Sequence, residues 1–232
     1  MASLAKRKYI EATYNVLLRE GLEGVSIRRI AREAGCTGAA LYKHFSDLDA
    51  LIRVASVRFL REFAEDAATL SAVVSNPLEF NLQLWECMAY YCFPNAPIIE
   101  NLFFAHGYEG AIGNALKEYY EEFPEELEGV QDFLADMLRG STLADRDAVM
   151  LHRAVEIGMI TEESANFLSS LGTYLFEGML ASLNDTYTDV KAVRASVHEF
   201  MRLLTEVYKM KLEDGFSILT VSPFLDKMDT AE

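Results

Sequence analysis

A chain of 232 residues, 51% of them hydrophobic, has enough apolar material for a sizeable core, in one large domain or two unequal ones, which excludes global disorder. No stretch approaches the roughly 20 apolar residues of a membrane-spanning helix, and Met1 to Tyr9 is basic and polar without the apolar centre of a signal peptide, so a cytoplasmic protein with no membrane partner is expected. The net charge of −15 is unevenly spread: residues 1–61 hold eleven Lys and Arg against six Asp and Glu, a net +5, which leaves −20 for the remainder. Such a division confines any phosphate contact to the basic head, although on charge alone simple solvation of helices fits equally well.

Apolar residues recur at helical spacing almost throughout and period-two alternation is nearly absent, so an all-α fold is expected. Ile10, Tyr14, Leu17 and Leu18 mark a first amphipathic helix, ended by Gly21 and Gly24. Ser26 caps a short second helix with Ile27, Ile30, Ala31 and Ala34 inward, and Gly35 stops it. Thr37 caps a third, with Leu41 and Phe45 inward and Tyr42, Lys43 and His44 outward. A fourth starts at Ser46 and Asp47 and buries Leu51, Val54, Ala55 and Phe59.

Beyond residue 65 the helices lengthen. Asn76 and Pro77 start one that runs through Leu82, Trp85, Met88, Ala89 and Cys92 to Pro94 and Pro97. Further helical segments are expected at 98–105, 111–122, 125–138 and 143–156. Thr161 then caps a long helix with the stripe Phe167, Leu168, Leu171, Leu175, Met179 and Leu183. After Asn184 and Asp185, a second long helix carries Val190, Val193, Val197, Phe200, Leu204 and Val207 at coiled-coil spacing. This hairpin is either core within one chain or half of a four-helix bundle shared by two. On the shared reading Leu168, Leu171, Leu175, Met179, Val193, Val197, Phe200 and Leu204 form a dimer interface, with Gly172, Gly178 and Ser182 allowing close approach. The tail beyond Gly215, with Phe216, Ile218, Leu219 and Phe224, is expected to dock on the body. Cys36, Cys87 and Cys92 lack metal-type pairing and read as free thiols, and no cofactor is expected.

A short capped helix, a glycine turn and a second short helix within residues 26–45 satisfy helix-turn-helix geometry. Tyr9 to Ile52, with "EGLEGVS", "IRRIAREAG", "ALYKHF" and "DALI" in fixed register, resembles the N-terminal domain of the TetR/AcrR family of transcriptional regulators. The resemblance implies a three-helix DNA-binding domain over 1–50 and a larger helical ligand-sensing and dimerisation domain over 51–232. It also implies a homodimeric repressor that leaves a palindromic double-stranded DNA operator when a small-molecule effector binds. Ser26 and Thr37 would meet phosphates through hydroxyls and helix N-terminal amides, with Tyr42 and Lys43 adding phosphate contacts. Arg28 would reach phosphate or a base edge, and His44 the DNA backbone; packing against the fourth helix is the other reading of Tyr42 and His44.

The sequence departs from the family pattern at two places. Gly38, Ala39 and Ala40 stand where a lysine often follows the turn, so the reading face favours apolar contact with thymine methyls. Leu48, between Asp47 and Asp49, replaces a usual lysine, which shifts the expected phosphate contact toward Lys6, Arg7 and Lys8.

The resemblance further implies an apolar ligand pocket, with Trp85, Met88, Tyr91, Phe103, Phe104, His106, Tyr108, Met150 and His152 as candidates, although aromatic residues at this spacing also suit plain core. His106 and His152 lack metal-ligand spacing. Two rival readings are an all-helical enzyme using Glu86, Glu100 or Glu109, and a dimeric adaptor whose head binds protein. No Gly-rich phosphate loop, nucleophile elbow or HExxH supports the first, and the basic head argues against the second.

Overall fold

A computed structural model describes residues 4–104, 111–130, 132 and 142–230, and every regular element among them is helical. The chain forms two compact units, and the divisions do not fall at residue 50, which lies inside a helix. Residues 97–128 belong with the head, because the acidic helix expected at 111–122 packs there.

The first unit comprises Met1–Arg61 and Pro97–Glu128. Helix α1 (Leu4–Glu20) packs on α2 (Ile27–Ala34) and α4 (Leu48–Ser56) through Tyr9, Ile10, Thr13, Val16 and Leu17. The inward stripe runs from Tyr9 through Thr13 to Val16 and Leu17, so Leu18, expected on it, is exposed. Helix α3 (Gly38–Leu41) packs on α2, and α8 (Ala111–Glu122) on α4. Most of α7 (Ala96–Phe104) also lies in this unit. At 125–138, where a helix is expected, a short 3₁₀ helix covers Pro124–Leu127, and most of the rest lies outside the described residues.

The second unit comprises Glu62–Ala96 and Gly129–Glu232. It holds α5 (Arg61–Val73) from its second residue, α6 (Pro77–Cys92), α9 (Leu143–Glu156), α10 (Glu162–Leu183), α11 (Val190–Lys211) and α12 (Pro223–Thr230). Local chemistry sets the helix starts. Asn76 Oδ1 accepts from the Leu78 and Glu79 amides at 3.0 and 3.2 Å ahead of Pro77, Thr142 and Asp145 form a reciprocal capping box, and Thr161 caps α10.

Helix α6 runs through the centre, against α9, α11 and α12, while α10 packs on α9 and α11. Trp85, Phe93, Phe176 and Phe200 meet there with ring centroids 5.5–6.1 Å apart. Gly172 makes this fit possible, because a Cβ at that position would come within 2.9 Å of Trp85 Cζ2. Its small size therefore serves the chain's own tryptophan rather than a partner helix.

The hairpin of α10 and α11 is largely core of the single chain. Leu168, Val193, Val197, Phe200 and Leu204, expected at a dimer interface, are enclosed within it, because their seam faces α6 and the opposite helix of the pair. Leu171, Leu175 and Met179 are half-buried. The tail docks through Ile218, Phe224 and Leu225, whereas Phe216 and Leu219 stay exposed. Cys87 and Cys92 are buried free thiols, and Cys36 is a half-buried one.

Candidate functional site

The reading motif is assembled from local caps and one long-range hydrogen bond. Ser26 Oγ accepts from the Arg29 amide at 3.3 Å and starts α2. Gly35 ends it in the left-handed region at φ 63°, a conformation that costs glycine nothing, and the Cys36 amide closes the turn on Ala31 O at 3.0 Å. Thr37 Oγ1 then accepts from the Ala40 amide at 3.3 Å. From α1, the buried Tyr9 hydroxyl donates to Thr37 O at 2.7 Å and fixes the turn to the first helix.

Gly38 has a packing reason. A Cβ there would lie 2.9 Å from Ile27 Cγ2, so glycine is what lets α3 sit against the start of α2. Leu41 and Phe45 are buried behind it. The other expected DNA-contacting residues are distributed over the surface of this motif. Ser26, Arg28, Thr37, Ala39, Tyr42 and Lys43 are exposed, while Gly38, Ala40 and His44 are half-buried. The His44 ring lies 6.2 Å from that of Tyr9.

Charge pairing divides the basic residues of this unit. Lys6 meets Glu118 at 2.9 Å and Glu122 at 3.6 Å, and Arg7 pairs with Glu125 while stacking 4.4 Å over Phe123. Arg58 and Arg61 face Glu126, Arg19 holds Glu33 at 3.0 Å, and Arg29 pairs with Glu20. The weight expected on Lys6 and Arg7 as phosphate contacts is thus reduced, since internal carboxylates already hold them. Lys8, Arg28, Arg32 and Lys43 are exposed and pair with no carboxylate among the described residues. Asp47 is a helix cap: it accepts from the Ala50 amide at 2.7 Å and from Ser46 at 2.9 Å, and these donors hold its carboxyl below the usual range.

The second unit contains a small cavity of about 20 Å³, room for about one water molecule. Leu84, Trp85 and Met88 of α6 form one wall, Leu143, Arg146, Asp147 and Met150 of α9 the other, and Phe63 of α5 completes the lining. An open cleft between residues 71–80 and the outer side of α9 shares Met150 with it. Asp147 Oδ1 accepts from Asn81 Nδ2 at 2.8 Å, and Asn81 Oδ1 accepts in turn from the Tyr208 hydroxyl. Burial pushes the Asp147 carboxyl up to about 6, while Asn81, Ser169 and Trp85 draw it down. Neither Asp147 Oδ2 nor Trp85 Nε1 has a hydrogen bond of good geometry among the described residues. Arg146 is enclosed too, and burial lowers its guanidinium.

Among the expected ligand residues, Trp85, Met88 and Met150 line this cavity, and His152 lines the outer cleft. Tyr91 is turned elsewhere: its hydroxyl donates to Asp66 at 2.8 Å and its ring meets Tyr90 and Phe224. Phe103 and Phe104 belong to the first unit, and His106 and Tyr108 lie outside the described residues. Glu86, a candidate acid/base on the enzyme reading, instead holds the docked tail. Its Oε1 accepts from the Phe224 and Leu225 amides at 3.0 and 2.8 Å, at the start of α12.

Sequence reasoning missed Phe63, Leu84, Leu143, Arg146 and Asp147. A signal for the last was present: Leu143, Asp147, Leu151 and Ala154 follow helical spacing and share a buried stripe, so a carboxylate stood at a core position.

Comparison with known proteins bears on the head most directly. Residues 10–55 match the family model described as bacterial regulatory proteins, tetR family. The HTH-type transcriptional regulator PksA of Bacillus subtilis (strain 168) is 49% identical over 51 residues, which span 22% of this chain and 25% of PksA. The chain therefore matches about a quarter of that relative's length.

Solved structures extend the likeness of fold to most of the chain. Thermus thermophilus FadR, a TetR-family transcriptional repressor in complex with lauroyl-CoA, superposes with TM-score 0.53 at 16% identity, covering 93% of this chain and 100% of its own. RolR in complex with resorcinol gives 0.52 at 15%, covering 90% and 95%. A Rhodococcus sp. RHA1 protein of unknown function gives 0.54 at 18%, covering 87% and 95%.

Proposed function

We propose that this chain is a regulator of the tetR family, whose model its residues 10–55 match, and that it binds operator DNA as a homodimer and represses transcription until a small molecule enters its second unit. The observation that carries this reading is the helix-turn-helix of residues 26–45, with its backbone turn fixed by Tyr9 and, on the same motif, the exposed cations Arg28, Arg32 and Lys43, which pair with no carboxylate among the described residues. In such a motif α3 enters the major groove and α2 crosses the backbone. Ser26, Thr37, Tyr42 and Lys43 would bind phosphates, with His44 beside them at the DNA backbone, and Arg28 would reach phosphate or a base edge. Ala39 and Ala40 would offer methyl contacts to thymine, and Gly38 would set the approach of the two helices.

The dimer would form through the outward stripe of α10, where Phe167, Tyr174 and Gly178 are exposed at helical spacing with the half-buried Leu171. Small molecules bound by FadR and RolR support an effector for this chain as well. An effector that fits one spacing of the two heads better than the other would shift the population toward it, and operator DNA would do the reverse. Selection of bound fragments from a random DNA pool tests the reading. A two-fold symmetric enriched site is expected, and recovery of no enriched sequence would contradict it.

A further inference from the structure

Resting on the DNA-binding reading, we propose that the acidic end of α8 and the 3₁₀ helix after it, residues 118–128, stand in for DNA phosphate against the start of α1. They withhold Lys6 and Arg7 from the duplex and so restrain the head's affinity for DNA. Six of these eleven residues are glutamate, and carboxylates compete with phosphates for the same donors. Glu118 meets Lys6 Nζ at 2.9 Å, and Glu122 meets it at 3.6 Å. Glu125 accepts from both terminal nitrogens of Arg7, one of them at 3.4 Å, and this two-pronged pairing is also how arginine holds phosphate. The Arg7 hydrogen bonds hold the Glu125 carboxyl below its usual range, so the pair is charged at neutral pH.

Both cations start from a stretch of α1 that borders the reading motif. Tyr9, about one turn further along, donates to Thr37 O at the turn, and Lys6 lies 5.6 Å from the ring centroid of Phe45 at the end of the motif. Lys8, in the same basic run, is exposed. Lys6 and Arg7 are instead drawn in: their side chains are 16% and 29% exposed, and Arg7 stacks 4.4 Å over Phe123, between Glu122 and Glu125 in the chain. Ring contact and partial burial keep such pairs from being screened as open surface pairs are. The acidic stretch is also anchored independently of Lys6 and Arg7, through Glu126 to Arg58 at 3.6 Å and to Arg61 at 3.8 Å.

The test titrates the full chain with a labelled duplex of random sequence, and with one carrying the selected site, over a range of salt. Glu118→Gln, Glu122→Gln and Glu125→Gln together should raise affinity about tenfold and steepen the log–log salt slope by about two phosphates. Glu23→Gln, Glu121→Gln and Glu128→Gln remove the same charge from exposed glutamates of the first unit that hold no cation among the described residues, and should change affinity less than about threefold. Adding Lys6→Ala and Arg7→Ala to the first variant should abolish its gain. In the wild-type protein those two alanines alone should leave the salt slope unchanged, a result that decides the matter even where the glutamine variant does not keep wild-type helicity. An equal gain in the second glutamine variant, a gain that survives the alanines, no gain in a folded first variant, or a wild-type slope made shallower by about two phosphates by the alanines would overturn the proposal. Absence of DNA binding in every form would overturn the DNA-binding reading and this proposal with it, whereas any of the other failures leaves a wild-type protein that binds DNA.

Discussion

In the first unit Arg7, Arg19 and Arg29 each hold a carboxylate near the surface, whereas in the second Glu86, Arg146 and Asp147 sit inside an apolar interior. Surface pairs of this kind contribute about 0–1 kcal/mol each, so the head gains little stability from them. What the pairing decides is which cations stay available, and those are concentrated on the reading motif. Interior charges are costly unless hydrogen-bonded, and in the body each has a structural use or lines the cavity. The body should therefore respond to substitution through stability, and the head through DNA affinity.

The sharpest break in that comparison is Trp85→Ala, which removes the centre of the aromatic cluster and should cost about 3–5 kcal/mol in urea unfolding. Next comes the pH response of Glu86. Burial pushes its carboxyl up to about 7 from the ordinary 4.5, against the pull of the Leu225 and Phe224 amides. Because the folded value lies above the unfolded one, the stability linked to protonation is fully present below about pH 4.5 and is lost as pH rises through about 7. Glu86→Gln keeps an acceptor for α12 and removes the titration. The wild-type protein should then lose up to about 3 kcal/mol relative to this variant across the same window, measured by unfolding at acid and alkaline pH.

In the head, Gly38→Ala should cost about 1–3 kcal/mol, because the added methyl meets Ile27 Cγ2, and operator affinity should fall with it. Tyr9→Phe should cost about 1 kcal/mol by removing the donor to Thr37 O, as read by thermal unfolding.

Local signals made much of the fold legible. Ser26, Thr37, Asn76, Thr142 and Thr161 cap helices whose starts their own side chains determine, and Gly35 stops α2 for a backbone reason visible in one residue. What depended on distant partners was not legible. Lys6 and Arg7 looked available because Glu118, Glu122 and Glu125 stand more than a hundred positions away in sequence. Gly172 looked like a helix-contact glycine because nothing local points to Trp85. The repeat in α11 gave the burial of Val193, Val197, Phe200 and Leu204 without saying whether the covering helix belonged to the same chain. The cavity was half legible: Trp85, Met88 and Met150 could be named, Asp147 was marked only by its place on the buried stripe of α9, and nothing local distinguished Arg146 from the other charges of that helix.

The most direct test of DNA reading by the head is the salt dependence of operator binding in the wild-type protein and in Lys43→Ala, whose exposed side chain should change stability by less than about 0.5 kcal/mol. Affinity should fall as salt rises, with a log–log slope of about −0.9 per phosphate neutralised, and Lys43→Ala should make that slope shallower by about one phosphate. A wild-type affinity that does not change with salt would contradict the account.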